Sequence, residues 1–392
     1  MGKKKILFVC YGLGIGGIEK CMVNLINAMP EEKYDIDILL MNPEYALKDQ
    51  IHRKVCYIDT FEYVMNTTDT MPEIKKRGGI GRNIGWTFRY CMFRLANKIQ
   101  KKAWKFFKPL QKKYDVAIAY SQNDFSPYYV QDMVTASRKV MWYHNGAYEG
   151  KEKKKLRDQQ YYPRFDYFVA VSSDCKRVLE KNFSFDKNRL IVLRNICATD
   201  QVCQKALEFV PESYKKNVIH ITTVGRMTKE KGADIALEAC KELKRQGYKF
   251  CWHWIGDGNC AEVTKHRIKE NGLEDVFVLE GNQINPYPFI KNSDIYVQPS
   301  YHEAYSTTIT EAKILHRPIV TTDVGGMRDQ IEHGKNGLIV PVDALRLSQA
   351  IQVLFDDSKL REDFSHTLQE ESFDAQKYMD EYEKTVFNFE DR

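Results

Sequence analysis

The stretch Glu303-Ala-Tyr-Ser-Thr-Thr-Ile-Thr-Glu311-Ala-Lys313 lies where an extended run of the chain passes into a helix. The apolar run before it, Ile295-Tyr-Val-Gln298, predicts a short buried strand. The helix must end near His316, because Pro318 cannot continue it. A buried strand that leads directly into a helix is typical of a βα unit in a parallel sheet.

The same stretch places two carboxylates, Glu303 and Glu311, on either side of the predicted helix start. Three hydroxyl side chains are candidates for the N-cap: Ser306, Thr307 and Thr308. Thr308 and Glu311 also have the spacing of a capping box. Free backbone N–H groups at a helix start bind anions, and flanking carboxylates accept hydrogen bonds from hydroxyls. This combination suits a nucleotide sugar, although a capping box beside a solvated glutamate would use the same residues.

Alternating strand and helix patterns run twice along the chain and predict two parallel sheets. The 392 residues, 43% of them apolar, suffice for two domains with sizeable cores. The predicted strands are Lys5–Cys10, Asp35–Leu40, Val116–Tyr120, Lys139–Tyr143, Tyr167–Val171, Leu190–Leu193, Asn217–Val224, Lys249–Ile255, Val276–Leu279, Ile295–Val297 and Pro318–Thr321. We therefore expect an α/β fold of two doubly wound, Rossmann-like domains that face a central cleft, with ligands at the strand C-terminal ends.

The seam between the two halves is predicted around Thr199–Lys216, which has a helical pattern and no strand. The expected domains are residues 1–205 and residues 206–372. A C-terminal helix over residues 373–392 is expected to pack back on the first domain.

Cysteine usage and hydropathy indicate a cytoplasmic protein. The ten cysteines form no C-x-x-C pair, which favours reduced thiols over a disulfide framework or a zinc site. No apolar run is long enough to span a membrane. The apolar N-terminal run lacks an A-x-A-like cleavage site and is interrupted by Glu19-Lys20, so a buried first strand explains it better than a signal peptide.

The net charge of +6 is concentrated in one segment. Thirteen Lys and Arg residues and no acid lie between Lys75 and Tyr114, interleaved with aromatic residues such as Trp86 and Trp104. The segment Lys75–Lys113 therefore predicts a surface that docks on anionic lipid headgroups, peripheral on the inner face of the cell membrane. A nucleic-acid groove uses the same residue types, as does a solvated basic face over ordinary core aromatics.

A glycine-rich turn near the N-terminus allows a different function. Gly12-Leu-Gly14-Ile-Gly16-Gly17 fits G-x-G-x-x-G between a strand and a helix, which is the fingerprint of an NAD-dependent Rossmann oxidoreductase. The acidic residue of that fingerprint should end the second strand, whereas Asp35 begins it and Asp37 lies inside it. We therefore expect Gly16 and Gly17 to bring backbone N–H groups to a phosphate or sugar instead.

Motifs along the chain resemble glycosyltransferase family 4. They are Gly16-Gly-Ile-Glu19, Ala170-Val-Ser172, Arg194-Asn195, Val224-Gly-Arg-Met-Thr-Lys-Glu-Lys-Gly232, Ile255-Gly-Asp-Gly258, Pro299-Ser-x-x-Glu303 with Glu311-Ala312, and Pro318-Ile-Val-Thr-Thr-Asp-Val-Gly-Gly326. The resemblance is strong over residues 217–341 and weak over residues 43–140. It implies a GT-B fold and a retaining, nucleotide-sugar-dependent transferase, for which we expect a UDP-sugar as the donor. In such a fold, residues 1–205 would form the acceptor-side domain and residues 206–372 the domain that binds the donor nucleotide sugar.

The resemblance and the chemistry together assign roles in the second half. Arg226 and Lys231, beside Gly225, lie after a strand and are expected to stabilise the diphosphate that leaves the donor. By resemblance, Glu311 accepts hydrogen bonds from ribose hydroxyls and Glu303 from hydroxyls of the donor sugar.

Further donor contacts are implied by the resemblance. The backbone amides of Tyr305, Ser306 and Thr307 would hold the donor, although Ala304-Tyr305-Ser306 replaces the usual Gly-Phe-Gly of the family. Asp329 stands where the family has Glu after Gly-Gly, and its role is open. His144 matches a histidine that lines the cleft near the reacting sugar, although a lone histidine is often only a packed group.

No metal or other cofactor is expected, because the D-x-D of Asp35 and Asp37 lies in a strand rather than above a phosphate. The expected reaction moves a hexose or N-acetylhexosamine to a glycan acceptor in cell-surface polysaccharide synthesis, with a lipid-linked acceptor as one option. Two other classes stay open: a non-catalytic sugar-binding protein on a transferase fold, and a nucleic-acid-binding protein that depends on the basic segment.

Overall fold

The computed structural model describes residues 2–14, 16–41, 46–58, 103–106, 109–148 and 150–387. Most of the predicted basic segment Lys75–Lys113 lies outside these residues. Within them the strands form two parallel sheets, one in each half of the chain, so the predicted fold class is confirmed.

The first sheet has seven strands in the order β3-β2-β1-β4-β5-β6-β7, and neighbouring strands are parallel. The strand order reverses between β1 and β4, where a doubly wound sheet opens a crevice at its carboxyl edge. The first strand of the chain, β1, is buried on both faces from Ile6 to Cys10, which explains its continuous apolar run. The strands are β1 (Lys4–Cys10), β2 (Tyr34–Leu40), β3 (Cys56–Tyr57), β4 (Lys113–Ala119), β5 (Thr135–Tyr143), β6 (Tyr167–Ala170) and β7 (Leu190–Val192).

The second sheet has six parallel strands in the order β10-β9-β8-β11-β12-β13. Its order reverses between β8 and β11, so the second crevice opens where β8 and β11 end. The strands are β8 (Ile219–Val224), β9 (Phe250–Ile255), β10 (Phe277–Gly281), β11 (Ile295–Gln298), β12 (Ile319–Thr322) and β13 (Gly337–Val340).

Helices cover both faces of each sheet, as expected for parallel strands joined by crossovers. In the described residues the α-helices are α1 (Gly17–Ala28), α2 (Ser126–Met133), α3 (Glu152–Tyr161), α4 (Ser173–Asn182), α5 (Thr199–Lys205), α6 (Ala233–Arg245), α7 (Ala261–Glu270), α8 (Tyr287–Asn292), α9 (Thr307–Ile314), α10 (Ala344–Asp356), α11 (Ser358–Glu370) and α12 (Ala375–Tyr382). Among them, no helix combines the length and the apolar character that crossing a bilayer requires.

All eleven predicted strands are present, with bounds that differ by at most four residues. Two strands were not predicted, β3 and β13. Both lie at a sheet edge and are only two and four residues long, so they carry too little periodicity to be recognised.

The last described residues, up to Phe387, pack on the first domain. Met379, Tyr382 and Phe387 belong to the same hydrophobic core as the first sheet. Glu383 accepts hydrogen bonds from Lys33 Nζ at 2.8 Å and from Tyr34 Oη at 3.1 Å. The chain therefore crosses back to its N-terminal half after α11, while the proposed domain bounds stay a prediction.

Trp104 corrects one prediction for the basic segment. It was expected among the aromatics of a lipid-facing surface, but it is only 1% exposed and packs in the first core. Its indole N–H donates to Asp132 at 2.8 Å, and its ring stacks on Tyr128 at 4.5 Å. A large aromatic ring with a satisfied N–H is stable in a core, so Trp104 cannot contribute to docking.

Candidate active site

A cavity of about 410 Å³ lies between the two domains, at the carboxyl ends of the strands. All eleven site residues predicted from the sequence line it: Gly16, Gly17, His144, Gly225, Arg226, Lys231, Glu303, Tyr305, Ser306, Thr307 and Glu311. Further lining residues were not predicted, among them Lys20, Asn195 and Pro286. The structure therefore brings residues from distant parts of the chain to one place.

The helix α9 begins at one of the three predicted N-cap residues, but without the predicted capping box. Ser306 is the N-cap, and its hydroxyl accepts from the backbone N–H of Ile309 at 3.3 Å. The predicted capping box of Thr308 and Glu311 does not form, because the Glu311 carboxylate is bound to Lys20. The Glu311 carboxylate therefore lines the cavity and does not cap the helix start.

Glu303 is fixed by three donors of its own domain. Its Oε1 accepts from Lys231 Nζ at 2.6 Å, from Ser300 Oγ at 2.8 Å and from Gln298 Nε2 at 3.1 Å. Only 8% of the Glu303 side chain is exposed, against 25% for Lys231. Gln298 and Ser300 lie at the end of β11 and were not predicted as supporting groups. The result is a carboxylate of defined orientation beside a cation.

Glu311 is held from the other side of the cleft. Lys20, in the second turn of the first-domain helix α1, forms an ion pair with the Glu311 side chain, which is 2% exposed. The Lys20 ammonium also lies 4.8 Å from the centre of the Tyr287 ring. Burial lowers the pKa of Lys20, but the charge of Glu311 and the hydrogen bonds with Glu311 and Tyr287 raise it by more, so the pKa is raised overall. Lys20 stays protonated at neutral pH.

One of the three predicted amide contacts is wrong. The backbone N–H of Ser306 donates to Gln330 Oε1 at 2.9 Å, and Gln330 Nε2 donates back to the Ser306 carbonyl at 2.8 Å. The Ser306 amide is therefore occupied and cannot hold a donor phosphate. Within the described part of the chain, the amides of Thr307 and Thr308 make no hydrogen bond, as expected for the first turn of a helix.

Two helix starts from different domains meet at the cavity. A methyl group added to Gly17, the first residue of α1, would lie 3.7 Å from Oγ1 of Thr307, the first residue of α9. Each helix start carries a partial positive charge of about half an elementary charge. Gly17 and Thr307 both line the cavity, so the two helix starts face the same volume.

The loop after β8 adds a further cation. Gly225 hydrogen-bonds through its N–H to the carbonyl of Ile255 at 2.9 Å, which fixes the direction in which the chain leaves the strand. Arg226 follows, is exposed, and makes no salt bridge to any described residue. The cavity lining thus contains three basic side chains, those of Arg226, Lys20 and Lys231, and two carboxylates, those of Glu303 and Glu311.

His144 is a neutral group at the first-domain side. It is buried, and burial lowers its pKa to about 3, against a smaller opposite effect of a hydrogen bond with the Tyr120 backbone. Its Nε2 has no hydrogen-bond partner among the described residues. A buried polar atom without a partner costs free energy, so a ligand hydroxyl at this position would satisfy it.

The cleft is closed at one end by direct contacts between the domains. Asp329, whose role was open, accepts from the backbone N–H of Ser173 at 2.6 Å, at the start of α4. A side chain at Gly146 would come within 2.5 Å of the Glu303 carbonyl. Asp329 therefore joins the second domain to a helix start of the first.

The geometry does not support the dinucleotide fingerprint. Asp35 is the second residue of β2 and lies 3.8 Å from Lys3, while Asp37 is buried and accepts from Lys112 and from Tyr114, each at 2.7 Å. Neither carboxylate reaches the carboxyl end of β2, where a dinucleotide ribose would lie.

Comparison with known proteins decides the class. Residues 205–370, which hold Arg226, Lys231, Glu303 and Glu311, match the family described as glycosyl transferases group 1. The enzyme is a glycosyltransferase, and residues 205–370 are the part that matches the group 1 family. The enzyme class that the sequence resemblance implied is thereby confirmed.

This glycosyltransferase has relatives and structural neighbours along its whole length. It is 24% identical over 368 residues, or 93% of both chains, to the N-acetylgalactosamine-N,N'-diacetylbacillosaminyl-diphospho-undecaprenol 4-alpha-N-acetylgalactosaminyltransferase of Campylobacter jejuni. It is 32% identical to the alpha-D-kanosaminyltransferase of Streptomyces kanamyceticus, over 36% of this chain and 37% of that protein. The crystal structure of Anabaena HepE in complex with UDP and glucose has a TM-score of 0.72 at 15% identity, over 98% of this chain and all of that one. The last likeness shows the fold, which is GT-B.

Proposed function

We propose that this glycosyltransferase moves a hexose or N-acetylhexosamine from a UDP-sugar to a lipid-linked glycan, with retention of anomeric configuration, in cell-surface polysaccharide synthesis. One observation carries the donor class. A single cavity joins two helix starts and three basic side chains to two oriented glutamates. That set matches a diphosphate flanked by a ribose and a sugar.

The diphosphate would lie against Arg226 and Lys231, with the free amides of Thr307 and Thr308 on one side and the Gly16–Gly17 turn on the other. As the bond from the donor C1 to the phosphate oxygen breaks, negative charge grows on that oxygen. Fixed cations and helix starts stabilise this charge more in the transition state than in the bound donor. Basic side chains stabilise the negative charge on the departing phosphate, so we propose that transfer needs no catalytic metal.

The two glutamates would orient the ends of the donor. Glu311 accepts from ribose hydroxyls through the carboxylate that Lys20 holds, and Glu303 accepts from hydroxyls of the transferred sugar. The unpartnered Nε2 of His144 would hydrogen-bond a sugar hydroxyl from the first-domain side. Because His144 is neutral, it positions the sugar without adding charge beside C1.

Retention follows from attack on the face that the phosphate leaves. The acceptor oxygen bonds to C1 as the C1–O bond to phosphate breaks, and the acceptor hydroxyl proton passes to the departing phosphate oxygen. No protein carboxylate needs to form a bond to the sugar. Glu303 fits a positioning role, because its Oε1 is already saturated by Lys231, Ser300 and Gln298.

The names of relatives and structural neighbours are the reason for proposing UDP as the nucleotide and a lipid-linked glycan as the acceptor. Anabaena HepE was crystallised with UDP-glucose, and the C. jejuni relative is named for a diphospho-undecaprenol acceptor. Other relatives are named for amylovoran and capsular polysaccharide biosynthesis. These names support a UDP-sugar and an acceptor on a polyprenyl diphosphate for this chain.

A lipid-linked acceptor would place the enzyme peripherally on the inner face of the cell membrane. The basic segment Lys75–Lys113 supports this, since each Lys or Arg near an anionic surface contributes about 1 kcal/mol. Replacing Lys101, Lys102, Lys105 and Lys108 with Gln should release the enzyme from acidic vesicles at physiological salt. Equal binding to acidic and neutral vesicles would contradict docking through this segment, and loss of activity on a water-soluble acceptor would assign it to the acceptor cleft.

The donor is tested with a panel of nucleotide sugars. Wild-type enzyme should release UDP from one UDP-hexose or UDP-N-acetylhexosamine, and Glu311→Gln should lose most of this activity while keeping its fold by circular dichroism. If the enzyme released nucleotide only from an ADP-sugar or a GDP-sugar, the donor would carry adenosine or guanosine instead of uridine. No turnover of any nucleotide sugar, together with binding of a free glycan, would favour the non-catalytic sugar-binding class.

A further inference from the structure

A cluster of metal-binding side chains lies on the second sheet, away from the cavity. His220 comes from β8, and Cys251 and His253 come from β9; their exposed fractions are 5%, 5% and 0%. The potential ligand atoms of the three side chains lie within 4.8 Å of one another. None of the three lines the cavity between the domains. The cluster is therefore not part of the proposed donor site.

Strand register explains why these residues meet. β8 and β9 are parallel, with His220 opposite Cys251 and Thr222 opposite His253. Side chains two apart on a strand point to the same face, so all three share one face of the sheet. His220 and Cys251 are each the second residue of their strand, whereas the cavity lies where the strands end.

The contacts of the His220 and His253 rings need one more hydrogen, or another positively charged group, than two neutral imidazoles supply. His220 Nε2 lies 2.9 Å from the Lys215 carbonyl, His220 Nδ1 lies 2.9 Å from His253 Nε2, and His253 Nδ1 lies 2.8 Å from Glu280 Oε1. A carbonyl and an ionised carboxylate only accept, so three contacts need three ring hydrogens. Two neutral imidazoles carry two.

The outer contacts leave two nitrogens facing each other. If each ring donates outward, to the Lys215 carbonyl and to Glu280, then His220 Nδ1 and His253 Nε2 meet with unprotonated lone pairs. A metal ligand histidine has this environment, since its second ring nitrogen donates to a carbonyl or carboxylate. A shared proton would also satisfy the two nitrogens, but the sulfur of Cys251 lies beside them and supplies a third ligand atom that a metal can use.

We propose that His220 Nδ1, His253 Nε2 and Cys251 Sγ bind a thiophilic divalent ion of the Zn²⁺ class. Imidazole nitrogens and a thiolate are the ligands that Zn²⁺ prefers. Metal–ligand bonds of about 2.0–2.3 Å place neighbouring ligands roughly 3.3–3.6 Å apart. The nitrogens therefore separate by a few tenths of an ångström and the sulfur rotates inward.

The surroundings fit such an ion in charge and position. A divalent ion, one thiolate and the adjacent Glu280 carboxylate sum to zero charge in a buried site. The Tyr214 ring lies 4.3 Å from the His220 ring and 4.2 Å from the His253 ring. Tyr214 and Lys215 belong to the segment between α5 and β8 that joins the two halves of the chain. The ion would hold this connection on the second sheet and raise the stability of that domain.

The test uses the whole chain, stripped with a chelator and titrated with Co²⁺. The wild type should bind one Co²⁺ per chain and show a sulfur-to-cobalt charge-transfer band, and Zn²⁺ should displace it and raise the melting temperature. Cys251→Ser should lose the band. Cys175→Ser, which alters an equally buried thiol in the first domain, should keep it.

A second variant examines the outer contact. Glu280→Gln should weaken Co²⁺ binding by about 10–100-fold, because the carboxylate orients His253. The proposal is overturned if the wild type retains no Co²⁺ or Zn²⁺ after desalting, or if Cys251→Ser keeps the band. Ring-proton NMR that shows an imidazolium at this pair in the presence of Zn²⁺ would also overturn it, because a proton would then occupy the place of the metal.

Discussion

The two glutamates of the cavity differ in which domain holds them. Glu303 accepts all of its hydrogen bonds from Gln298, Ser300 and Lys231, which belong to its own domain. Glu311, eight residues later, is bound to Lys20 of the first domain. The transferred sugar would thus meet a carboxylate that the second domain positions alone, whereas the ribose would meet one that depends on the approach of the other domain.

This difference separates two tasks. A locally held group such as Glu303 keeps its geometry whether the cleft is open or closed, so it suits the reacting end of the donor. Glu311 is nearly fully buried, and it would lose its counter-charge if the domains moved apart. The comparison predicts that variants of Glu303 itself reduce the rate of transfer, that variants of Glu311 or Lys20 change donor affinity and domain closure, and that variants of Lys231, which also faces the diphosphate, change both.

The largest effect is expected for Lys231→Ala. This change removes a phosphate cation and leaves Glu303 with one donor fewer, so kcat should fall by about 10²–10³-fold. Lys229→Ala is the matched control, since Lys229 is exposed in the same turn and does not line the cavity. Steady-state kinetics with the preferred donor distinguish the two. An equal loss in both variants would mean that the turn, not the ammonium of Lys231, matters.

A smaller effect, mainly on donor KM, is expected for Lys20→Met. Loss of a charged hydrogen-bond partner leaves Glu311 buried without its cation, at a cost of about 1.5–3 kcal/mol, or roughly 10–100-fold in affinity. Lys3→Met, which removes an exposed partner of Asp35, should change little. If Lys20→Met lowered kcat and left KM unchanged, the division of tasks between the two glutamates would be wrong.

The smallest effect concerns pH and His144. Its pKa is about 3 in the fold and 6.5 in the unfolded chain, so the unfolded state binds one proton more between these values. The contribution of His144 to the free energy of unfolding is therefore complete above pH 6.5. It falls as the pH drops towards 3, by at most about 1.4 kcal/mol per pH unit. Denaturant unfolding of His144→Asn should show a shallower loss below pH 6.5 than the wild type, and an identical slope would contradict a buried neutral histidine.

The site residues that closely follow a strand end could be predicted from the sequence. Arg226, Lys231 and Glu303 follow strand ends by two to seven residues, so a correct strand prediction places their side chains at the crevice. Contacts that cross between elements were not predictable. Lys20 meets Glu311 across 291 positions of sequence, and Gln330 occupies the Ser306 amide from the chain segment after β12.

The same reason explains Trp104 and the histidine cluster. Trp104 sits among lysines in the sequence, and only the packed core reveals its burial against Tyr128. His220 and His253 are 33 positions apart on two strands, so no ligand spacing of a zinc motif appears along the chain. The pairing of β8 with β9 brings them together, and this pairing belongs to the folded sheet rather than to a local stretch of sequence.

Binding of UDP tests the central claim most directly. Isothermal titration of the wild type with UDP and with NAD, at fixed salt, compares the two ligand classes that the Gly-rich turn allows. We predict one UDP per chain, weakened at least about tenfold by Arg226→Ala and by Lys231→Ala, and no heat from NAD. Binding of NAD, or UDP binding that neither variant changes, would contradict the account that this cavity holds the diphosphate of a UDP-sugar.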